Sequence, residues 1–195
     1  MRRFFRGPAP EFLALNWESW GRDWEARRNS NPAAQFSWRT VEGERVNQKL
    51  LPQLKALTQD HCSFCDNYPV SPPSIDTIEH FRPKSKYPRV SYLWTNLYFC
   101  CMACQQKADE FDEAALQPDA ESYDFDRYFR WDFTKGTLKV NERATQEDQR
   151  RAQVTIQLYR LNERHPSLRI RAQRFRACSP EMSSDDFAYR HFLAS

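Results

Sequence analysis

Two pairs of cysteines constrain this chain more than any other feature of its sequence. Cys62 and Cys65 form one Cys-x-x-Cys pair, Cys101 and Cys104 form a second, and 35 residues separate the pairs. A Cys-x-x-Cys turn presents two thiolates from one tight loop, so two such turns supply the tetrahedral ligand set of a structural zinc ion. The long separation adds closure entropy only slowly. We therefore predict a structural Zn²⁺ site with every coordination position filled and no catalytic role.

The alternative interpretation is that the cysteines are buried free thiols, since unpaired cysteine is often simply a core residue. Disulfides are not expected in a cytosolic chain, because that compartment keeps thiols reduced. Cys100 adjoins Cys101, but only Cys101 has the Cys-x-x-Cys spacing. We do not expect His61, beside Cys62, to replace one of the four ligands.

Composition and charge limit the class of protein. The 195 residues include 14 Phe, 8 Tyr and 6 Trp, which argues against disorder. The net charge is only +3, so nucleic-acid binding has to be argued from where the charges lie. No apolar run approaches the roughly 20 residues of a membrane span, and the N-terminal run is too short for a secretory signal. We expect a cytoplasmic protein without membrane contact.

The residues before the first cysteine pair predict helices. Leu13, Trp17, Trp20 and Trp24 share one face of a predicted helix over 11–28. This face is expected to pack in the core, with a partner-docking surface as the alternative. A second helix is predicted over 44–58, with Pro52 marking its first turn or a kink.

The remaining elements alternate strands, loops and helices. Up to residue 111 the sequence predicts a proline-rich loop at Pro69, Pro72 and Pro73, a strand over 76–81, a basic loop over 82–90, and a helix within 93–111 that starts near the second cysteine pair. An acidic loop over 112–124 and a hairpin over 128–141, which turns at Lys135-Gly136, are predicted next. Two helices follow, one from the cap Thr145 (with Asp148 three residues on) to about Arg164 and one over 167–177. We expect three regions packed as one domain: 1–60 (helical), 61–115 (zinc core) and 116–195 (hairpin and helices).

The stretch IEHFRPKS, residues 78–85, suggests phosphodiester chemistry. Hydrolysis needs a base that works near neutral pH, a divalent cation and a basic surface. His80 is the candidate base, and Glu79 and Gln105 are candidate oxygen ligands for the cation. The candidate phosphate contacts are Arg82, Lys84, Lys86 and Arg89, with Lys107 as a further one. The alternative is a surface Glu-His pair beside a solvated loop.

Successive residues of a strand point to opposite faces. Glu79 and His80 can therefore converge on one ion only if the strand ends or kinks there, and Pro83 makes an end plausible. A second basic run has the same two interpretations, a nucleic-acid surface or solvated and paired arginines. It comprises Arg160, Arg164, Arg169, Arg171, Arg174 and Arg176.

The two cysteine pairs, together with IEHFRPKSKYP and YLWTNL between them, resemble the zinc-containing HNH endonuclease family. The resemblance covers residues 62–111. Within that family the string is similar to the PtuB-like HNH nuclease subunits of Septu-type and retron-associated anti-phage systems. The segments FTKGTLKVN and TIQLYRLN resemble the same subgroup with less specificity, and the first 60 residues only loosely.

The resemblance implies an α+β fold, mostly helical, around a zinc-stabilised ββα-metal (HNH) core. It implies an endonuclease of antiviral defence that cleaves nucleic acid with Mg²⁺ or Mn²⁺. We expect DNA ahead of RNA as the substrate, a choice that the sequence leaves open. An ATPase partner subunit would regulate cutting, and the tryptophan face is a candidate docking surface for it.

The resemblance also assigns roles within the site. His80 would be the general base and Glu79 an acidic metal ligand. Asn96 would fix the loop and orient His80, although an ordinary helix N-cap is the other interpretation of Asn96. Gln105 stands where the family has His or Asn as a metal ligand, and Gln106 could take that role if the helix starts differently. The alternative function is a non-catalytic zinc module that binds nucleic acid or a partner through a degenerate HNH site.

Overall fold

The computed structural model describes residues 1–68, 77–163 and 165–193, and these residues have a mixed α and β structure. The helices are α1 (Glu11–Ala14), α2 (Trp17–Ser30), α3 (Val46–Thr58), α4 (Met102–Gln105), α5 (Phe125–Tyr128), α6 (Gln146–Leu158), α7 (Pro166–Cys178) and α8 (Arg190–Leu193). The strands are β1 (Thr40–Val41), β2 (Glu44–Arg45), β3 (Thr77–His80), β4 (Leu97–Cys100), β5 (Phe129–Asp132) and β6 (Thr137–Val140). They form three antiparallel pairs, β1–β2, β3–β4 and β5–β6.

The pair β3–β4 links the acid-histidine stretch to the second cysteine pair. Glu79 lies opposite Tyr98, and His80 lies opposite Leu97. All four residues of β4 are buried, which explains its apolar sequence Leu-Tyr-Phe-Cys. The predicted strand over 76–81 is thus confirmed within one residue at its C-terminal end, whereas Asp76 and the predicted loop at Pro69, Pro72 and Pro73 lie outside the described residues.

The helix predicted within 93–111 starts near the second cysteine pair as expected, but it ends after a single turn. A 3-10 turn spans Trp94–Asn96, β4 follows, and α4 is a single turn that begins after Cys101. The apolar run before the cysteines is buried on both faces, so its pattern does not distinguish a strand from a helix. The order strand, strand, helix is present, but the full ββα-metal core remains a prediction.

The tryptophan face belongs to the interior. The predicted helix is broken at residues 15–16 into α1 and α2. Trp24 is buried and its indole N–H donates to the Lys84 carbonyl at 2.8 Å, and the Trp20 ring meets the Tyr92 ring edge-on at 5.2 Å. These contacts fix α2 against the basic loop, so the core interpretation of the face is the one that the structure supports.

The second half of the chain follows the sequence prediction more closely. The hairpin β5–β6 turns at Gly136, whose φ of +66° lies in the left-handed region that glycine favours. The hydroxyl of Thr145 accepts a hydrogen bond from the Asp148 N–H and caps α6. That helix ends at Leu158, six residues short of the predicted end, and the last predicted helix is α7.

One hydrophobic cluster contains residues from Met1 to Leu161. Each strand of the β3–β4 and β5–β6 pairs has residues that belong to this cluster or pack against it. Pro52 lies within α3, in the middle of the helix rather than in its first turn. None of the described helices is long and apolar enough to cross a membrane.

Replacement of Gly21 tests how closely α2 approaches the basic loop. A Cβ at Gly21 would lie 2.1 Å from the Arg89 carbonyl oxygen, whereas a Cβ at Gly7 would have no atom within 4 Å. Because the obstacle is backbone, Gly21→Ala should lower the free energy of unfolding by about 1–3 kcal/mol. Gly7→Ala should change it by less than about 0.5 kcal/mol. Urea denaturation measures both, and equal stabilities of the two variants would contradict the close approach.

Candidate functional site

The four predicted cysteines converge in one buried group that could hold a metal ion. The ligand atoms of Cys62, Cys65, Cys101 and Cys104 all lie within 4.8 Å of one another. The sulfurs of Cys65 and Cys101 are 3.6 Å apart. Cys100 lies outside this group and its thiol donates to the Cys101 carbonyl, while Cys178 is exposed. The pairing predicted from the Cys-x-x-Cys spacing is therefore the one observed.

Local backbone geometry shapes each cysteine turn. In the first turn the Asp66 N–H donates to the Cys62 carbonyl at 3.0 Å, and Asp66 has a φ of +62°. Aspartate tolerates that conformation better than most residues. In the second turn the Gln105 N–H donates to the Cys101 carbonyl at 3.0 Å. Gln105 thus directly follows Cys104, and its backbone N–H closes the second cysteine turn.

A buried salt bridge supports the first turn from the C-terminal segment. The Arg190 guanidinium contacts the Asp66 carboxylate at 2.8 Å, and the Arg190 N–H donates to the same carboxylate at 2.6 Å. Both side chains are only 4 % exposed. The C-terminal segment is therefore part of the cysteine site's framework.

Burial and hydrogen bonding shift the pKa values of the cysteine thiols in opposite directions. Hydrogen bonds from Cys104, Cys62 and Cys65 lower the pKa of Cys101. Burial raises the pKa of Cys65. The buried guanidinium of Arg169 lies close enough for the charges of Cys65 and Cys104 to raise its pKa, against the larger effect of burial, which lowers it. A buried cation near thiolates favours the deprotonated sulfurs that bind a metal.

His80 is held in a closed aromatic pocket at the end of β3. Its ring stacks on Trp38 at 5.4 Å and meets the edge of Phe36 at 5.5 Å. Its Nε2 lies 3.0 Å from the Ser91 carbonyl oxygen, which can only accept a hydrogen bond. Burial, followed by the charge of Lys84, lowers the pKa of His80 to about 3. The ring is therefore neutral at physiological pH, with the proton on Nε2 and a lone pair on Nδ1.

Glu79 is also buried, but it has an ionic partner. The Lys107 ammonium lies 2.9 Å from Glu79 Oε1 and 3.2 Å from the His80 carbonyl oxygen. Burial raises the pKa of Glu79 to about 7, while the Lys107 charge opposes the shift. The Lys107 side chain has no exposed surface, which does not fit the phosphate contact expected from the sequence.

Glu79, His80 and Gln105 line one cavity of about 370 Å³. The strand ends at His80, which is the condition for two neighbouring strand residues to reach the same cavity. Lys84 and Asp109 also line it, whereas Lys107 does not. Lys107 therefore contacts Glu79 without lining the cavity.

Asn96 fixes the basic loop through three hydrogen bonds. Its Oδ1 accepts from the Arg82 N–H at 2.7 Å, and its Nδ2 donates to the carbonyls of Arg82 at 3.1 Å and Val90 at 3.0 Å. It ends a 3-10 turn, so the helix N-cap interpretation is wrong. The loop that it fixes continues into Ser91, whose carbonyl oxygen lies 3.0 Å from His80 Nε2.

The predicted phosphate contacts differ in their surroundings. Arg82 pairs with Glu113 at 2.6 Å, and Arg89 pairs with Glu25 at 2.7 Å. Lys86 is exposed, and the Lys84 ammonium lies 5.5 Å from the centre of the Phe36 ring. Of these residues, Lys84 is the one that lines the cavity.

Sequence reasoning missed the residues that hold His80 from outside its own motif. Phe36 and Trp38 follow α2 by several residues, and Ser91 contributes only a backbone carbonyl. Nothing in the spacing of a single sequence marks such partners. The two aromatic residues of the segment QFSW, Phe36 and Trp38, are the sequence signal that this segment packs against the fold.

Comparisons with known proteins leave the chain without an assigned family. No protein-family model matches it, and no curated protein matches it either.

The burial of His80 predicts a pH dependence of stability. Its folded pKa of about 3 lies below the ordinary 6.5, so the stability of the neutral ring is complete above pH 6.5 and declines as the pH falls toward 3. Over that window the wild type should lose up to about 1.4 kcal/mol per pH unit more than His80→Gln, which cannot titrate. Urea denaturation at several pH values gives both slopes. Parallel slopes for the two proteins would contradict the buried neutral histidine.

Proposed function

We propose that this chain is a metal-dependent HNH-type endonuclease that hydrolyses phosphodiester bonds of nucleic acid in anti-phage defence. One observation carries the proposal: the neutral His80, fixed by the Ser91 carbonyl, shares a cavity with Glu79 and Gln105. A base, two oxygen ligands and a nearby lysine are the parts that such hydrolysis needs. The resemblance of residues 62–111 to the HNH family agrees with this combination.

His80 would act as the general base through Nδ1. Because Nε2 donates to a carbonyl, the other ring nitrogen carries the lone pair that can take a proton from water. Stacking on Trp38 keeps the ring in one orientation. Asn96 would act as a positioning residue, since it fixes the loop that carries the Ser91 carbonyl.

The two proposed metals fit their donor sets. A tetrahedral ion at about 2.3 Å from four sulfurs has sulfur–sulfur edges of about 3.8 Å, close to the observed 3.6 Å. The four cysteines would therefore hold structural Zn²⁺. The oxygens of Glu79 and Gln105 suit Mg²⁺ or Mn²⁺, which when bound would offset negative charge on the reacting phosphate.

The nucleic acid would be held near the cavity by the basic loop. Lys84 lines the cavity, and Lys86 and Arg89 are exposed on the same loop. DNA is the expected substrate. An ATPase subunit that regulates cutting is the expected partner. The tryptophan face is the weaker candidate for its docking surface, because Trp24 and Trp20 already contact other parts of this chain.

One contact favours a second candidate function, a non-catalytic zinc module that binds nucleic acid or a partner. Lys107 already neutralises Glu79 from the protein side, as a structural ion pair would do. Gln105 is longer than the family's usual residue and would hold a cation less firmly. In that case the chain binds zinc and has no second divalent ion.

Cleavage assays test the catalytic role of His80. Wild-type protein with Mg²⁺ or Mn²⁺ should cut DNA, and His80→Ala should cut at least about 100-fold more slowly because the general base is lost. Gln53→Ala, at an exposed glutamine of α3 that does not line the cavity, should cut at the wild-type rate. A His80→Ala protein as active as the wild type would contradict the assignment.

Manganese binding separates the two candidate functions. The nuclease should bind one Mn²⁺ by electron paramagnetic resonance, and Gln105→His, which restores the family's usual ligand, should bind it more tightly and cut faster. Wild-type protein that binds no Mn²⁺ and leaves DNA and RNA intact, alone and with the candidate ATPase, would support the non-catalytic module.

A further inference from the structure

Helix α7 exposes an apolar stripe that the rest of the described fold does not cover. Leu168, Ala172 and Phe175 recur at steps of four and three, which aligns them on one helical face. Leu168 is 39 % exposed and Phe175 is 55 % exposed. On a different side of the same helix Arg169 is buried and donates to the Gly136 carbonyl at 2.9 Å. The helix is thus anchored through Arg169 while its apolar stripe faces solvent.

The stripe forms one wall of a groove. Phe187 and Tyr189, on the segment that precedes α8, form the other side together with Tyr68, and the groove encloses about 390 Å³. The rings of Phe175 and Phe187 are 5.6 Å apart. Phe187 and Tyr189 are themselves buried, so the surrounding fold holds this side of the groove in place. It shares no lining residue with the cavity of Glu79 and His80.

Unpaired positive charge flanks this groove. Helix α7 contains four arginines and no acidic residue. Arg169 is buried, and Arg176 donates to the Ser179 carbonyl at 3.2 Å. Arg171 and Arg174 are exposed, and neither has an ion pair with any residue of 1–68, 77–163 or 165–193. Arg171 lines the groove, and among the residues that the structure describes Asp186 is the one acid that lines it.

The geometry points to a docking site for an acidic amphipathic helix of a partner protein. The apolar face of that helix would lie on Leu168 and Phe175, and its carboxylates would pair with Arg171 and Arg174. Apolar anchors spaced along a groove are how such helices are recognised, and complementary charge sets their orientation. A nucleic-acid backbone would satisfy the arginines but leave Leu168 and the apolar walls in water. The inference does not depend on nuclease activity.

A pair of designed peptides tests the site on the full chain. The first is an amphipathic helix of about 14 residues, four turns, with leucines on one face and glutamates elsewhere. The second has the same leucines with lysines in place of the glutamates. By fluorescence anisotropy the acidic peptide should bind, and the lysine peptide should bind at least about tenfold more weakly.

Two variants assign the binding to the groove. Phe175→Ser should weaken binding of the acidic peptide about tenfold or more, as should the double change Arg171→Glu with Arg174→Glu. Lys139→Glu, at an exposed lysine of β6, is the charge control and should leave the affinity unchanged. Circular dichroism confirms that each variant is folded before binding is measured.

Several outcomes would overturn the proposal. The acidic peptide could fail to bind at concentrations up to about 1 mM, the range of weak contacts, or bind Phe175→Ser as tightly as wild type. A wild-type dimer that Phe175→Ser dissociates would identify a second copy of the chain as the occupant. A single-stranded DNA that displaces the acidic peptide, and whose own binding is weakened by the arginine double change but not by Phe175→Ser, would identify a nucleic-acid surface. Tenfold tighter peptide binding by Val70→Ser with Ile75→Ser would identify the chain's own residues 69–76.

Discussion

The convergence of four buried thiols is the constraint on which the rest of the site depends. Cys62 and Cys65 follow α3, while Cys101 lies between β4 and α4 and Cys104 lies within α4. A metal ion there would join two parts of the chain that are separated by 35 residues and would hold the end of β4 beside the start of α4. Since β4 pairs with β3, the same link sets the position of Glu79 and His80 relative to Gln105.

The buried charged side chains near the cysteines have groups of opposite charge beside them. Arg190 neutralises Asp66 beside the first cysteine turn, and Arg169 brings a buried guanidinium toward the sulfurs. A buried cation is costly unless an anion accompanies it, and thiolates bound to a metal provide that charge. The buried Lys107–Glu79 pair follows the same principle. Both cores of buried charge in this region thus consist of groups of opposite sign.

Local patterns in the sequence predicted the elements whose causes are local. The Cys-x-x-Cys spacing, the Lys135-Gly136 turn and the Thr145 cap each depend on a few neighbouring residues, and each is present. The strand β4 was not predicted, because a short apolar run buried on both faces fits either a strand or a helix. The packing of the tryptophan face has a tertiary cause, because Trp24 and Trp20 contact residues 60 or more positions away along the chain. The candidate base and oxygen ligands were found from residue type and spacing, whereas Phe36, Trp38 and the Lys107 pair depend on packing that one sequence does not encode visibly.

X-ray absorption spectroscopy at the zinc edge tests the central claim most directly. Protein purified without added metal should show one zinc per chain with four sulfur neighbours at about 2.3 Å and no nitrogen or oxygen in the first shell. Removal of that zinc by a chelator should unfold the region around β3 and β4, since the metal's binding energy contributes to folding. Protein that contains no zinc yet retains its full stability, or zinc with a mixed shell that includes nitrogen, would contradict the account.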